Sequence, residues 1–124
     1  MLINLIANAA KFSKAGEFVN VDLERTAGGG LAIAVRDNGI GIKPDDIERI
    51  FEPFVQVDDG MSRRFGGIGL GLSIARKIAR LHGGNVTINS QAGSGTTASL
   101  LLPAGRVVWP KPARSPPAAA TAAA

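Results

Sequence analysis

Apolar residues recur at helical intervals in two stretches of this chain and gather into strand-like runs in four others. Leu2, Leu5, Ile6, Ala9 and Phe12 fall on one helical face, and Gly16 supplies a stop. Runs at Phe18 to Arg25 and Leu31 to Asp37 predict two strands, joined as a hairpin across Ala27-Gly28-Gly29-Gly30. The turn Asp37-Asn38-Gly39-Ile40-Gly41 then leads to a short helix with Pro44 in its first turn. From Glu52 to Gly67 no period is sustained, which predicts a long functional loop. A second helix is expected over Leu70 to His82, with Leu72, Ile74, Ile78 and Leu81 facing inward and Gly83-Gly84 as its stop. Strands at Asn85 to Ser90 and Thr96 to Leu102 complete the pattern and end at Pro103.

This order predicts a two-layer α/β sandwich in which a mixed, partly antiparallel sheet packs on helices. Residues 1–103 form the expected domain. Residues 104–124 are rich in proline and alanine and read as a linker or disordered tail, with Val107, Val108 and Trp109 the residues able to dock locally.

Composition narrows the function. No cysteine is present, which excludes disulfides, thiolate metal sites and a cysteine nucleophile and favours a cytoplasmic setting. Apolar runs such as Leu100 to Leu102 fall far short of a bilayer span, and no export signal follows Met1. The formal charge is +4, but Arg106, Lys111 and Arg114 carry three of those charges, leaving 11 basic against 10 acidic residues in 1–103. A nearly neutral domain argues against nucleic acid as a partner.

Three segments carry candidate chemistry. Asn4, Asn8 and Lys11 lie at i, i+4 and i+7 and share one helical face. Amide oxygens are hard neutral ligands suited to Mg²⁺, and an ammonium suits phosphate, although a solvated polar face has the same pattern. Asp37 closes a strand just before glycines that let backbone come close to a ligand, and its carboxylate accepts hydrogen bonds as an adenine amino group requires. A plain hairpin turn also fits Asn38-Gly39. The stretch Gly66-Gly67-Ile68-Gly69-Leu70-Gly71 alternates glycine into a helix start, where backbone N–H groups and the helix dipole suit phosphate; it matches neither the P-loop nor the dinucleotide fingerprint. Arg63 and Arg64 precede it and offer guanidinium groups to a terminal phosphate. Gly93-Ser94-Gly95-Thr96 reads first as a β-turn.

Taken together, NLIANAAKFS, DNGIGI, FEPF, GGIGLGLSIARKIARLHGG and GSGTT resemble, in order and spacing, the N, G1, F, G2 and G3 boxes of the histidine kinase catalytic domain. The resemblance covers nearly all of residues 1–103. It implies a Bergerat-type ATP-binding fold that uses ATP and Mg²⁺. Asn8 would hold Mg²⁺ with Asn4 beside it, and Lys11 would meet phosphate. Asp37 would take the adenine amino group, with Gly39 and Gly41 in the adenine pocket. Gly67, Gly69, Leu70 and Gly71 would shape the phosphate end, and Thr96 would lie near adenine through water. Phe51 and Phe54 match the F box, whose aromatic residues anchor the loop that follows.

Hydrolysing relatives and anti-sigma serine kinases of this superfamily place a glutamate one helical turn before the conserved asparagine as general base. Asn4 occupies that position here and cannot take a proton at neutral pH, which favours transfer to a histidine. The implied partners are a histidine-bearing dimerisation domain and, indirectly, a response regulator. A regulatory nucleotide-binding fragment and a serine kinase are the alternatives. Ile68 and Ala98 depart from common family residues, and the strand and helical turns that usually precede the N box are missing, as is the acceptor histidine. His82, the only histidine, matches a helix-terminal residue of the family rather than the acceptor.

Overall fold

In a computed structural model the described residues are 1–55 and 70–112. The first helix, α1, covers Leu2–Phe12 and has no capping side chain at Met1, as expected from a sequence lacking Ser, Thr or Asp there. Strands β1 (Asn20–Arg25) and β2 (Leu31–Asp37) follow. Their hairpin is closed by the Thr26 amide donating to the Gly30 carbonyl at 3.0 Å, while the Gly30 amide donates to Thr26 Oγ1 at 2.9 Å. The short helix expected at Pro44 is a 3-10 turn, Pro44–Asp46, and a second such turn covers Arg49–Phe51.

The second helix, α2, runs Gly71–Leu81. It ends as its sequence predicts. Gly83 adopts φ +78°, its amide donates to Arg80, and the Gly84 amide reaches back to Ala79 at 2.8 Å, the paired bonds of a Schellman stop. Strands β3 (Asn85–Ser90) and β4 (Thr96–Leu102) complete the sheet, in the order β1-β2-β4-β3. Each pairing among the described residues is antiparallel, so the mixed sheet expected from sequence is not seen there. The physical reason is connectivity: β1–β2 and β3–β4 are hairpins, and α2 returns the chain so that β4 lies antiparallel to β2.

One face of the sheet carries Ile33, Val35, Val86, Ala98 and Leu100, and these pack with Leu5 and Ala9 of α1 and Ala75 and Ala79 of α2. Leu5, Val35 and Val86 are fully buried, so truncating Leu5 to alanine should cost about 2–5 kcal/mol. The inward face of α2 matches the expected one at Leu72, which packs against the core, and differs from it elsewhere. Ile74 and Leu81 are exposed, 42% and 80%, whereas Ser73, Ala75 and Ala79 are buried. Small residues fill the centre of this contact, with Leu72 partly buried beside them and Ile74 and Leu81 turned outward.

The β1 side is thinly covered. All six β1 residues are exposed, and Phe18, Leu23 and, on α1, Ile3 are exposed by 78%, 68% and 81%. At the far end of the sheet from Asp37, Trp109 docks on the first hairpin. Its Nε1 donates to the Gly29 carbonyl at 2.8 Å and the Arg25 guanidinium sits 5.3 Å from its rings, while Val108 is exposed. Residues 113–124, the rest of the expected tail, lie outside the described residues.

Candidate functional site

Asp37 is the last residue of β2 and pairs with Thr96, the first of β4. Its Oδ1 accepts the Gly39 amide at 2.8 Å, and the Thr96 backbone amide also donates to the carboxylate. Burial nevertheless dominates and pushes the carboxyl above its ordinary value, with these two bonds pulling the other way. A cleft of about 280 Å³ opens beside it at the ends of β2, β3 and β4; Asp37 and Thr96 line it, together with Arg36, Asn89 and Ser90, whereas Gly39, Gly41, Leu70, Gly71 and the polar residues of α1 do not. An ionised, partly desolvated carboxylate at the edge of such a cleft is an acceptor waiting for a donor.

The glycines of this turn have definite neighbours. Gly39 lies against the Phe12 carbonyl at the end of α1, which brings the helix and the turn together. Gly41 has φ +71°, and a Cβ there would collide with the Gln91 carbonyl, so only glycine lets this turn lie on the β3–β4 connection. The Gly93 amide donates to Ile40 at 2.7 Å across the same contact.

Two residues that sequence reasoning passed over hold the surroundings. Ser90 Oγ accepts the Ile42 amide at 2.8 Å, donates to the Gly95 carbonyl at 2.9 Å and lies 2.8 Å from Thr96 Oγ1. It thereby joins the Gly41 turn to the Gly95-Thr96 turn. Arg76 of α2 lays its guanidinium 4.1 Å from the Phe51 ring centroid, pairs with Glu48 at 3.2 Å and reaches Asn85 at 3.4 Å. Phe51 is thereby held against α2. Phe54 is 73% exposed with φ +65°, and the loop that the F box would anchor lies outside the described residues. For Ser90 the available signal was a hydroxyl at a strand end six residues before Thr96; for Arg76, nothing local marked it.

Asn4, Asn8 and Lys11 are all half-buried on α1, and the face they share rises about 10 Å along the helix. At its N-terminal end, Asn4 Nδ2 donates to the Gly71 carbonyl at 3.2 Å, tying α1 to the start of α2. Leu70 is the N-cap residue of α2, and Gly71 its first residue. At the other end, the Lys11 ammonium lies 5.2 Å from the Phe12 ring, beside the Gly39 contact. The polar face thus runs between the α2 N-terminus and the Asp37 turn. Arg63, Arg64, Gly67 and Gly69, also expected in the site, lie outside the described residues.

The donor chemistry fits Mg²⁺. Among the described residues no cluster of three or more His, Cys, Asp or Glu could hold a metal by itself. The Asn8 amide oxygen is a hard neutral ligand that suits an ion taking most of its remaining ligands from phosphate and water. His82 is the exposed C-cap of α2, about 16 Å along the helix from Gly71.

A family model described as Histidine kinase-, DNA gyrase B-, and HSP90-like ATPase matches residues 1–106. The sensor-like histidine kinase SenX3 of Mycolicibacterium smegmatis is 45% identical over 102 residues, covering 82% of this chain and 26% of that protein. Full-length ShkA, solved in complex with AMPPNP, superposes with a TM-score of 0.72 at 35% identity, over 82% of this chain and 20% of ShkA. The mycobacterial sensor histidine kinase MprB gives a TM-score of 0.71 at 30% identity, over 82% of this chain and 66% of the MprB chain. This chain therefore spans about a quarter of the length of SenX3 and a fifth of that of ShkA.

Proposed function

The chain belongs to the histidine kinase-, DNA gyrase B- and HSP90-like ATPase family, and from that premise we propose that it binds Mg²⁺-ATP and delivers the γ-phosphoryl group to a histidine on a separate dimerisation domain. It would act as the catalytic part of a two-component signalling kinase, with a response regulator downstream. The observation that carries this reading is Asn4. Its amide, one turn before Asn8, donates to the Gly71 carbonyl, where a hydrolase of the superfamily would carry a proton-accepting carboxylate.

Each group has a task in this reading. Asp37 accepts the adenine amino group, Gly39 and Gly41 let the turn lie close to the base, and Thr96 stands beside it. Asn8 offers its amide oxygen to Mg²⁺, and Lys11 offers charge to phosphate. Leu70 and Gly71 present the start of α2, whose unpaired N–H groups and dipole favour anionic oxygens. Bound Mg²⁺ would neutralise charge on the phosphate oxygens. The neutral imidazole of the acceptor forms a bond to the γ-phosphorus as the bond to the β–γ bridging oxygen breaks, and ADP leaves with that electron pair. The chain's contribution is positioning and charge stabilisation rather than proton transfer.

Such a reaction belongs in the cytoplasm, and no helix among the described residues is long and apolar enough to cross a membrane. The test is incubation with γ-labelled ATP, with and without an added histidine-bearing dimerisation domain. His82 stands at the far end of α2, so the chain alone should not label itself. Added acceptor should acquire acid-labile, alkali-stable label that rises with its concentration and vanishes in Asn8→Ala. Acid-stable label on serine, or brisk hydrolysis without acceptor, would contradict the proposal. Binding without transfer would point to a regulatory nucleotide-binding module.

A further inference from the structure

The chain leaves β4 at Leu102, at the end of the sheet opposite Asp37, and the residues that follow stay on the domain. Ala104–Arg106 form a 3-10 turn, after which Val107 is extended at φ −126° and ψ 129°. From there burial alternates: Val107 and Trp109 are half-buried, whereas Val108 and Pro110 are exposed. That is the alternation of an extended segment laid on a surface. Pro110 reinforces it, because the residue before a proline is pushed into extended backbone. The family match ends at residue 106, so the contact made by Trp109 lies beyond what the family accounts for.

This segment carries the chain from the end of β4 past β2 to the first hairpin, the order of the sheet being β1-β2-β4-β3. Trp109 Nε1 donates to the Gly29 carbonyl at 2.8 Å, and Arg25, the last residue of β1, sets its guanidinium 5.3 Å from the ring. The hairpin has need of such a fastening. Its turn runs through Gly28, Gly29 and Gly30, with Gly29 at φ +86°, and glycine loses more conformational freedom on ordering than any other residue. All six β1 residues are exposed, so packing does little to hold the strand. We propose that residues 107–110 are a releasable strap, which fastens the end of β4 to this turn through Trp109 and opens together with the turn while the Asp37–Thr96 end of the sheet stays closed.

Magnitudes decide that the strap can open by itself. A neutral hydrogen bond favours the closed state by roughly twofold to tenfold, and a cation–π contact at an exposed site by roughly twofold to fivefold. Global unfolding is rarer by several powers of ten, so the strap and the turn form a separate, low-stability unit. Neither contact involves Asp37, Thr96 or α1, and the inference stands apart from the ATP reading. Pro110 and Pro112 carry no amide proton, so the chain beyond Trp109 cannot go on pairing along β1 and leaves the hairpin as a stiffened segment. Whatever engages the chain there acts first on the hairpin, at the pole opposite the site.

Trp109 is the single tryptophan and the chain has no tyrosine, so indole emission from the full chain reports the strap alone. In a urea titration the emission should shift to the red at lower urea than the loss of far-UV circular dichroism. Arg25→Ala should widen that gap by moving the emission only, and Arg25→Lys, which keeps the cation, should narrow it again. Hydrogen exchange gives a second readout. Trp109→Ala should speed exchange of the Gly29 and Gly30 amides, both bonded to Thr26, by roughly fivefold to fiftyfold, the product of the two lost contacts, and leave the Gly39 and Gly84 amides unchanged. Emission and dichroism that change together in the parent and in Arg25→Ala, or exchange that rises as much at Gly39 and Gly84 as at Gly29, would make the strap inseparable from the folded domain and overturn the inference. A native emission as red, and as readily quenched by acrylamide, as that of free tryptophan amide would overturn it as well, by showing that no strap is closed.

Discussion

Beside the cleft, where the proposed function places the base, Asp37, Ser90 and Thr96 are strand-terminal residues locked by short hydrogen bonds to Gly39, Ile42 and Gly95. On α1, where the proposed function places the phosphates, Asn8 and Lys11 share one helical face with Asn4, which is tied to the neighbouring helix by the longer 3.2 Å bond to Gly71. One end is preorganised by the sheet. The other brings together groups whose geometry a metal and phosphates would complete. The difference assigns different jobs: the base end should select the nucleotide through fixed acceptors, whereas the phosphate end should supply affinity that depends on Mg²⁺.

The sharpest way to break this division is at Asp37. Asp37→Ala should weaken ATP and ADP alike by about 1.5–3 kcal/mol, the range for a hydrogen bond to a charged group, because both ligands carry the same base. The pH dependence adds a sign. Burial raises the Asp37 carboxyl above its ordinary value, and the acceptor is its ionised form. Binding should be fully developed above that raised value and decline as pH falls through it, beginning at higher pH than an ordinary aspartate would dictate. Asp37→Asn should flatten this profile. Calorimetry across the acidic range checks both statements.

A second effect should be confined to the phosphate end. Asn8→Ala should lower Mg²⁺-ATP affinity by about tenfold to a hundredfold, the cost of losing even an outer partner of a metal, while adenosine binding stays unchanged. Equal losses for adenosine and Mg²⁺-ATP would mean that the two ends are not separable. The smallest effect is expected at Asn4. Replacing it with alanine removes the tie to Gly71 and should reduce stability by about 0.5–1.5 kcal/mol in a denaturant melt, since the bond is half-buried and between neutral groups.

How far the molecule could be read from its sequence follows the same line between local and tertiary causes. The two hairpins, the stop at Gly83-Gly84 and the terminal position of Asp37 were legible because each rests on a few adjacent residues with restricted backbone choices. The shared face of Asn4, Asn8 and Lys11 was legible because helical spacing dictates it. The inward face of α2 was legible only at Leu72. A period of 3.6 residues allows the stripe through Ile74 and Leu81 as readily as that through Ala75 and Ala79, and only close packing on the sheet and α1 selects the smaller side chains. Ser90 was missed because its role requires the β3–β4 turn to fold back onto Ile42, 48 residues earlier in the chain. Arg76 was missed because Phe51 and Glu48 reach it only in the tertiary structure.

The claim that a fixed base end selects and a metal-completed phosphate end binds is tested most directly by titrating the unmodified chain with ATP and GTP, each in Mg²⁺ and in excess chelator. The account predicts that ATP binds better than GTP in both conditions and that chelation weakens ATP strongly. GTP binding as well as ATP, or ATP affinity indifferent to Mg²⁺, would contradict it.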